Sequence, residues 1–328
     1  MRRKKQTTLR FKNYSPQYLK SVIKDEGDSP NNSPTKAPEI DPVKSEPDFG
    51  DVKFTTNTGR QMNMTDLFMG RPVFLISSGP SLNHLNLERI RDCSAFSFGV
   101  NNSWSIFKPD FWTCADSPDR FLYSCWKDPK ILKLCPSSLK NKNLKKKVSG
   151  EFKTTDEQAR DCPNTLFYSR NLSFNHLTFL EENTVNWGCT GDKPGTLGFK
   201  GARSVFLAAL KLCYVLGFRT VYLCGVDFKM EEGIQNYAFE QERSPSSVKG
   251  NNCSYNVNGK RLNELNKLFM RHNFRVLNCN PLSHLTAFPF ISFDEAIEES
   301  SKLVVPYEGS LGWYDGECKD KKMKVKRN

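Results

Sequence analysis

An α/β fold built on a doubly wound, mostly parallel sheet is predicted by three features of this sequence. Short apolar runs alternate with amphipathic segments, the signature of strand and helix in turn. Two of the runs stop abruptly at small or polar residues. Val73-Phe74-Leu75-Ile76 enters Ser77-Ser78-Gly79-Pro80-Ser81-Leu82, and Val221-Tyr222-Leu223-Cys224-Gly225 enters Val226-Asp227-Phe228. The 328 residues are 38% hydrophobic and 12% aromatic, enough for a sizeable core. In an open α/β sheet, ligands sit outside the carboxyl ends of the strands. The two strand ends therefore predict one nucleotide-type site made from distant parts of the chain.

The elements follow in order. Residues 1–51 are rich in Ser, Pro, Asn, Asp and Lys, and Asp28-Ser29-Pro30-Asn31-Asn32-Ser33-Pro34 offers little apolar surface to bury. A disordered basic arm is expected there. The folded domain is expected over 52–305, with a basic tail at 306–328. Val73–Ile76 is the first strand, and a short helix is expected after the Gly79-Pro80-Ser81 turn. Ala95–Val100 reads as a strand ending at Asn101-Asn102, and Phe111–Ala115 as one ending at Asp116. The lysine-rich residues 117–160 read as a loop or insertion. Thr165–Tyr168 is a further short strand. Ala202–Leu216 is a helix, because Val205, Ala208, Ala209, Leu212 and Leu216 share one face and Gly217 fits its stop. Val221–Gly225 is a strand, Leu262–His272 an amphipathic helix, Phe274–Leu277 a strand and Asp294–Ser301 a helix.

Formal net charge is +12, and the cations are clustered. Lys140, Lys142, Lys145, Lys146 and Lys147 form one group, and both ends of the chain hold others. Such clusters fit a polyanionic partner: nucleic acid, an anionic glycan or a lipid head group. Binding through them is expected to weaken steeply with salt. No apolar run approaches the ~18 residues of a spanning helix, and no apolar stretch follows the basic N-terminus, so neither a membrane span nor a secretory signal is expected. The eleven cysteines are scattered without a CxxC pair. That argues against a zinc ribbon or a disulfide framework and for a reducing cytoplasm.

Around the two strand ends, Gly79 allows close approach of a ligand, while Ser77, Ser78 and Ser81 offer hydroxyls. The turn is neither a Walker loop nor a dinucleotide fingerprint. Asn101, Asn102 and Asp116 sit at strand ends, where they fit either ligand contacts or turn chemistry. Pro194-Gly195-Thr196-Leu197-Gly198-Phe199-Lys200-Gly201 leads into a helix, as a phosphate- or sugar-wrapping loop does, and as a plain connector does. Asp227 after a buried strand suits a base, a hydroxyl acceptor, a metal ligand or a cap. Of the four histidines, His84 and His284 lie beside the loops of interest, and none has metal-ligand spacing to another.

Together these segments resemble the bacterial family-42 sialyltransferases, which are Rossmann-like, GT-A-like enzymes using CMP-activated sugars without a metal. The resemblance is carried by Ser78-Gly79-Pro80-Ser81-Leu82, Asn101, the run Leu216–Phe228, Tyr237-Ala238-Phe239, and Cys279-Asn280-Pro281-Leu282-Ser283-His284-Leu285-Thr286-Ala287-Phe288. It spans about residues 72–295, with a poorly matched middle. It implies a nucleotide-sugar donor and no cofactor. Gly79, Ser81, Asn101 and Asp116 would then line the donor site, Tyr237 would bond the departing phosphate, and Ser283 would bind the nucleotide from the far side. The sequence departs from the family at its catalytic histidine, which aligns with Asn256, and at a tyrosine replaced by Lys229. The base is then left among His84, Asp116, Asp227 and His284, with Asp227 and His284 preferred. Hydroxymethylated DNA, as some viral enzymes glycosylate, or a glycan is the expected acceptor. Similar turns occur in MptE-like pterin diphosphokinases. That alternative needs ATP and Mg²⁺, held by Asp116 and Asp227. A non-catalytic nucleotide-binding module is a third reading.

Overall fold

The computed structural model describes residues 50–93, 95–171, 173–188, 202–239 and 242–302. After a short β1 (Lys53–Thr55) and β2 (Gln61–Asn63), the chain lays down β3 (Pro72–Ile76), β4 (Phe96–Val100) and β5 (Phe111–Thr113). A one-turn helix α1 (Tyr123–Lys127) leads to β6 (Leu132–Pro136), the hairpin β7 (Asn143–Val148) and β8 (Glu151–Gln158), and β9 (Thr165–Tyr168). The two-residue strands β10 (Arg170–Asn171) and β11 (Val185–Asn186) pair with each other. Helix α2 (Val205–Val215), β12 (Thr220–Cys224), α3 (Pro245–Arg271), β13 (Arg275–Asn278) and α4 (Phe293–Lys302) follow.

Nine strands form one sheet in the order β13-β12-β3-β4-β5-β6-β9-β1-β2. All pairings from β13 through β9 are parallel, and β1 and β2 add an antiparallel edge. This is the Rossmann-like, doubly wound architecture expected from the sequence. Each residue of β3 is buried, as a central parallel strand covered on both faces requires. Val73 and Leu75 point to the face covered by α2 and α3, together with Val221 and Leu223. Phe74 and Ile76 point to the other face, against Leu82, Ile90, Phe293 and Ile297. The alternation along one strand thus creates three layers.

Three expectations are corrected. The segment 117–160 is not a loop: β6 is an inner strand of the sheet, and Trp112, Trp126, Cys135, Leu144 and Phe167 form a core beneath it. Lys133 in β6 is fully buried, and its ammonium donates to the carbonyls of Asp128 (2.6 Å), Ile131 (3.2 Å) and Pro163 (2.9 Å). The helix expected at Leu262–His272 begins at Pro245, where Ser244 caps it through the Ser247 amide and proline occupies the first turn. After the Gly79 turn the chain forms 3-10 turns at Pro80–His84 and Leu87–Asp92 in place of an α-helix. The expected disordered arm (1–49 of it) and the tail at 306–328 lie outside the described residues. No described helix is long and apolar enough to cross a membrane.

Candidate active site

Chain order and sheet order together fix where a crevice opens. From β3 the chain adds β4, β5, β6 and β9 on one side, then returns to add β12 and β13 on the other. The order therefore reverses between β3 and β12, and the crevice of an open α/β sheet lies at the carboxyl ends of such a pair.

There the two loops run close together. The Ser77 amide donates to the Cys224 carbonyl (2.9 Å) and the Gly79 amide to the Gly225 carbonyl (2.8 Å), extending the pairing beyond the strands. A Cβ on Gly79 would stand 1.7 Å from Asp227 Oδ2 and 2.6 Å from the Gly225 carbonyl oxygen, so only glycine fits. Gly225 has φ +69, and a Cβ there would meet Leu82 Cγ at 2.6 Å. Leu82 fills the space that Gly225 leaves and pins the first loop to the second.

Asp227 lies at the centre. Its Oδ2 accepts the Ser81 hydroxyl (2.9 Å), and its Oδ1 accepts the Asn280 side-chain amide (2.9 Å). Burial raises its pKa above the ordinary carboxylate value, against the opposing pull of the Ser81 hydroxyl and amide, Asn280 and nearby His84. Burial wins because desolvation penalises the charged form more than three neutral donors and an exposed imidazole stabilise it.

The third loop closes on the same residues. The Ser283 hydroxyl donates to the Val226 carbonyl (2.5 Å) and accepts the Leu285 amide (3.1 Å). The Ser283 oxygen therefore shapes the loop first. His284 donates its backbone amide to the Asp227 carbonyl (2.9 Å), while its side chain is exposed. Tyr237 is carried in by the Ala238 amide, which donates to the Ser78 carbonyl (2.9 Å). Its ring stacks on Phe239 at 5.2 Å, and Arg243 donates to its hydroxyl oxygen through Nη2 (2.7 Å) and Nε (3.1 Å).

The remaining expected residues separate. Asn101 takes φ +51 at the end of β4 and gives its carbonyl to Trp112 Nε1 (2.7 Å), a turn role. Asn102 reaches the Arg120 carbonyl (3.5 Å). Asp116 is exposed and paired with Arg120 (3.1 Å), a surface arrangement. Among the described residues no group of three or more His, Cys, Asp or Glu side chains gathers to hold a metal. Gly201 and its glycine-rich loop lie outside the described residues. Asn256, aligned with the sialyltransferase histidine, is exposed on α3.

Two features escape the sequence reading. Tyr255, one residue earlier on α3, stacks on Phe228 at 4.9 Å. Its phenol is held neutral by burial and by the charge fields of Tyr237 and Asp227, with Arg243 opposing. Phe228 sits at φ +57, a strained backbone for an aromatic residue of the kind that gathers at functional sites. Arg170, at the carboxyl end of β9, donates to the Ala115 carbonyl (3.0 Å) and lies 3.8 Å over the Trp187 ring. Arg203 faces the same ring at 5.2 Å. Burial lowers the Arg170 pKa, and neighbouring Arg203 adds to that effect.

The chain matches no family model, no curated protein and no solved structure.

Chemically, the crevice offers a carboxylate with raised proton affinity, packed against Gly79, and a phenol backed by a guanidinium. Those groups suit an anionic leaving group and an attacking hydroxyl.

Proposed function

We propose that the chain is a glycosyltransferase that moves a sugar from a nucleotide-activated donor to a hydroxyl acceptor. The observation that carries the reading is Asp227, a half-buried carboxylate with raised proton affinity, seated against glycine backbone in the switch-point crevice. In this scheme the acceptor oxygen bonds to the anomeric carbon as the bond from that carbon to the phosphate oxygen breaks. Asp227 takes the acceptor proton, and the departing nucleotide keeps the electron pair. A carboxylate with raised pKa is the better base at neutral pH. Tyr237, with Arg243 donating to its oxygen, is left to turn its own O–H toward the leaving phosphate, where developing charge is best stabilised. The likeness to family-42 sialyltransferases supports the donor half of the reading. The basic balance of the chain supports a polyanionic acceptor, hydroxymethylated DNA among them, over a neutral one.

The test is a thermal-shift panel of CMP-, UDP- and GDP-sugars and ATP, each with and without Mg²⁺. A bound donor raises the melting temperature by linkage, by about 2.7 kcal/mol of stability at a hundredfold excess over Kd. A shift with one nucleotide sugar, followed by release of its nucleotide on adding acceptor, is the expected result. A shift with ATP and Mg²⁺ alone refutes the glycosyltransferase reading.

A further inference from the structure

The β7–β8 hairpin carries four lysines, three of them consecutive, and its sequence builds it as a rigid arm. Ser149 and Gly150 at the tip take φ +51 and +89, the paired left-handed conformation of a tight two-residue turn. The root is fastened by Lys145 to Asp119 (3.0 Å), and by Glu157 to Tyr123 (2.5 Å) and Lys127 (3.4 Å). Beyond Leu144, which is buried, β7 and β8 are largely exposed.

The root carboxylates are therefore occupied, and the tip cations lack such partners. Lys146, Lys147 and Lys153 have no carboxylate within ion-pair distance among the described residues, although Glu151 and Asp156 share the hairpin; Lys146 lies 5.4 Å from the centre of the Tyr123 ring. Lys146 stands directly opposite Lys153, a cross-strand pairing of like charges that costs stability unless an anion lies between them. Lys147 stands opposite Phe152, whose ring is 69% exposed with the Lys147 ammonium 5.8 Å from its centre. Side chains alternate along a strand, so Lys147 and Phe152 share one face of the hairpin and Lys146 and Lys153 the other. An exposed aromatic ring with an ammonium beside it suits an unpaired base and its phosphate. A phosphatidylserine surface meets the charge but offers no ring to stack on Phe152.

We infer that this hairpin binds single-stranded nucleic acid, with Phe152 stacking a base, Lys147 holding the phosphate beside it, and Lys146 and Lys153 attracting the backbone from the other face. This does not depend on the donor reading. The root packs beside Asp119, which follows the carboxyl end of β5, and β5 lies two strands from β3.

The test is fluorescence anisotropy of a labelled oligothymidine of about 20 nucleotides with the full chain, between about 50 and 200 mM salt. Expected is binding that weakens steeply with salt. Phe152→Ala is expected to weaken it about fivefold or more, Phe152→Trp to preserve it, and Lys146→Glu with Lys153→Glu to weaken it more than about tenfold. Heparin, which has no bases, is expected to respond to the charge reversal and not to Phe152→Ala. All these side chains are exposed, so unchanged melting temperatures confirm intact folding. Three results overturn the assignment: no binding at the lowest salt, wild-type affinity in both the Phe152→Ala and the charge-reversal proteins, or binding of phosphatidylserine vesicles in place of the oligonucleotide.

Discussion

The crevice between β3 and β12 and the lysine-rich stretch between β5 and β9 solve the same problem with opposite materials. At the crevice, order comes from missing side chains. Gly79 and Gly225 let two loops touch, and a single carboxylate is caught between them. In the lysine-rich stretch, order comes from long side chains. Lys133 runs its stem through a core and ends on three carbonyls, while Lys146 and Lys153 face each other in solvent. The same residue type is a core strut at one position and a surface charge at another. What separates them is whether backbone acceptors wait at the end of the stem.

That contrast can be broken first at Lys133. Lys133→Met keeps the stem and removes the donors, leaving the Asp128 and Ile131 carbonyls short of a partner while Pro163 keeps the Thr165 hydroxyl (3.2 Å). Urea unfolding is expected to show a loss of about 3 kcal/mol or more, since each unsatisfied buried group costs about 1–3 kcal/mol. The same substitution at exposed Lys146 is expected to stay within about 0.5 kcal/mol.

Gly79→Ala strikes the other region. The new methyl overlaps Asp227 and the Gly225 carbonyl, so the loops must part. A loss of about 1–3 kcal/mol is expected, together with loss of the donor-induced thermal shift.

Asp227→Asn is expected to reverse the usual bargain between stability and activity. Transfer should fall about 10²- to 10⁴-fold, as for loss of a general base. Stability should not fall with it. The Asp227 pKa is raised in the fold, so its ionised form costs stability at neutral pH, and that cost disappears below the unfolded-state pKa. The variant should therefore melt at or above the parent near pH 7 and lose its advantage as pH falls through the carboxylate range. Parallel melting curves at every pH would refute the burial of that charge.

The sequence made the first region legible and hid much of the second. Strands β3 and β12 carry uninterrupted apolar runs, Val73–Ile76 and Val221–Cys224, and β4, β5 and β13 are short stretches rich in Phe, Trp, Val or Leu; small or polar residues follow each, so their ends are visible. Strand β6 was hidden because Leu132-Lys133-Leu134-Cys135-Pro136 carries a lysine and a proline among neighbouring lysines. Only the carbonyls around Lys133 explain why it is inside. The first turns of α3 were hidden by Gly250, Asn251 and Asn252, poor helix formers whose position is fixed by tertiary contacts. Asn252, for one, bonds both the amide (2.9 Å) and the carbonyl (2.8 Å) of Met230. Missing that helix also hid Tyr255, because only helical geometry turns it toward Phe228. Asp116 illustrates the converse: a strand-end carboxylate looks functional in sequence, yet an arginine one turn later takes it to the surface.

The place of β3 in the sheet also bears on how the protein is made. β3 is complete at Ile76, but the strand that covers its far side ends only at Cys224. At ordinary synthesis rates roughly 7 to 30 seconds separate the two on the ribosome. Throughout that interval an apolar strand with an open row of amides and carbonyls is a template for pairing with any neighbouring nascent chain. The edge that becomes the crevice is thus also the region in greatest need of a chaperone.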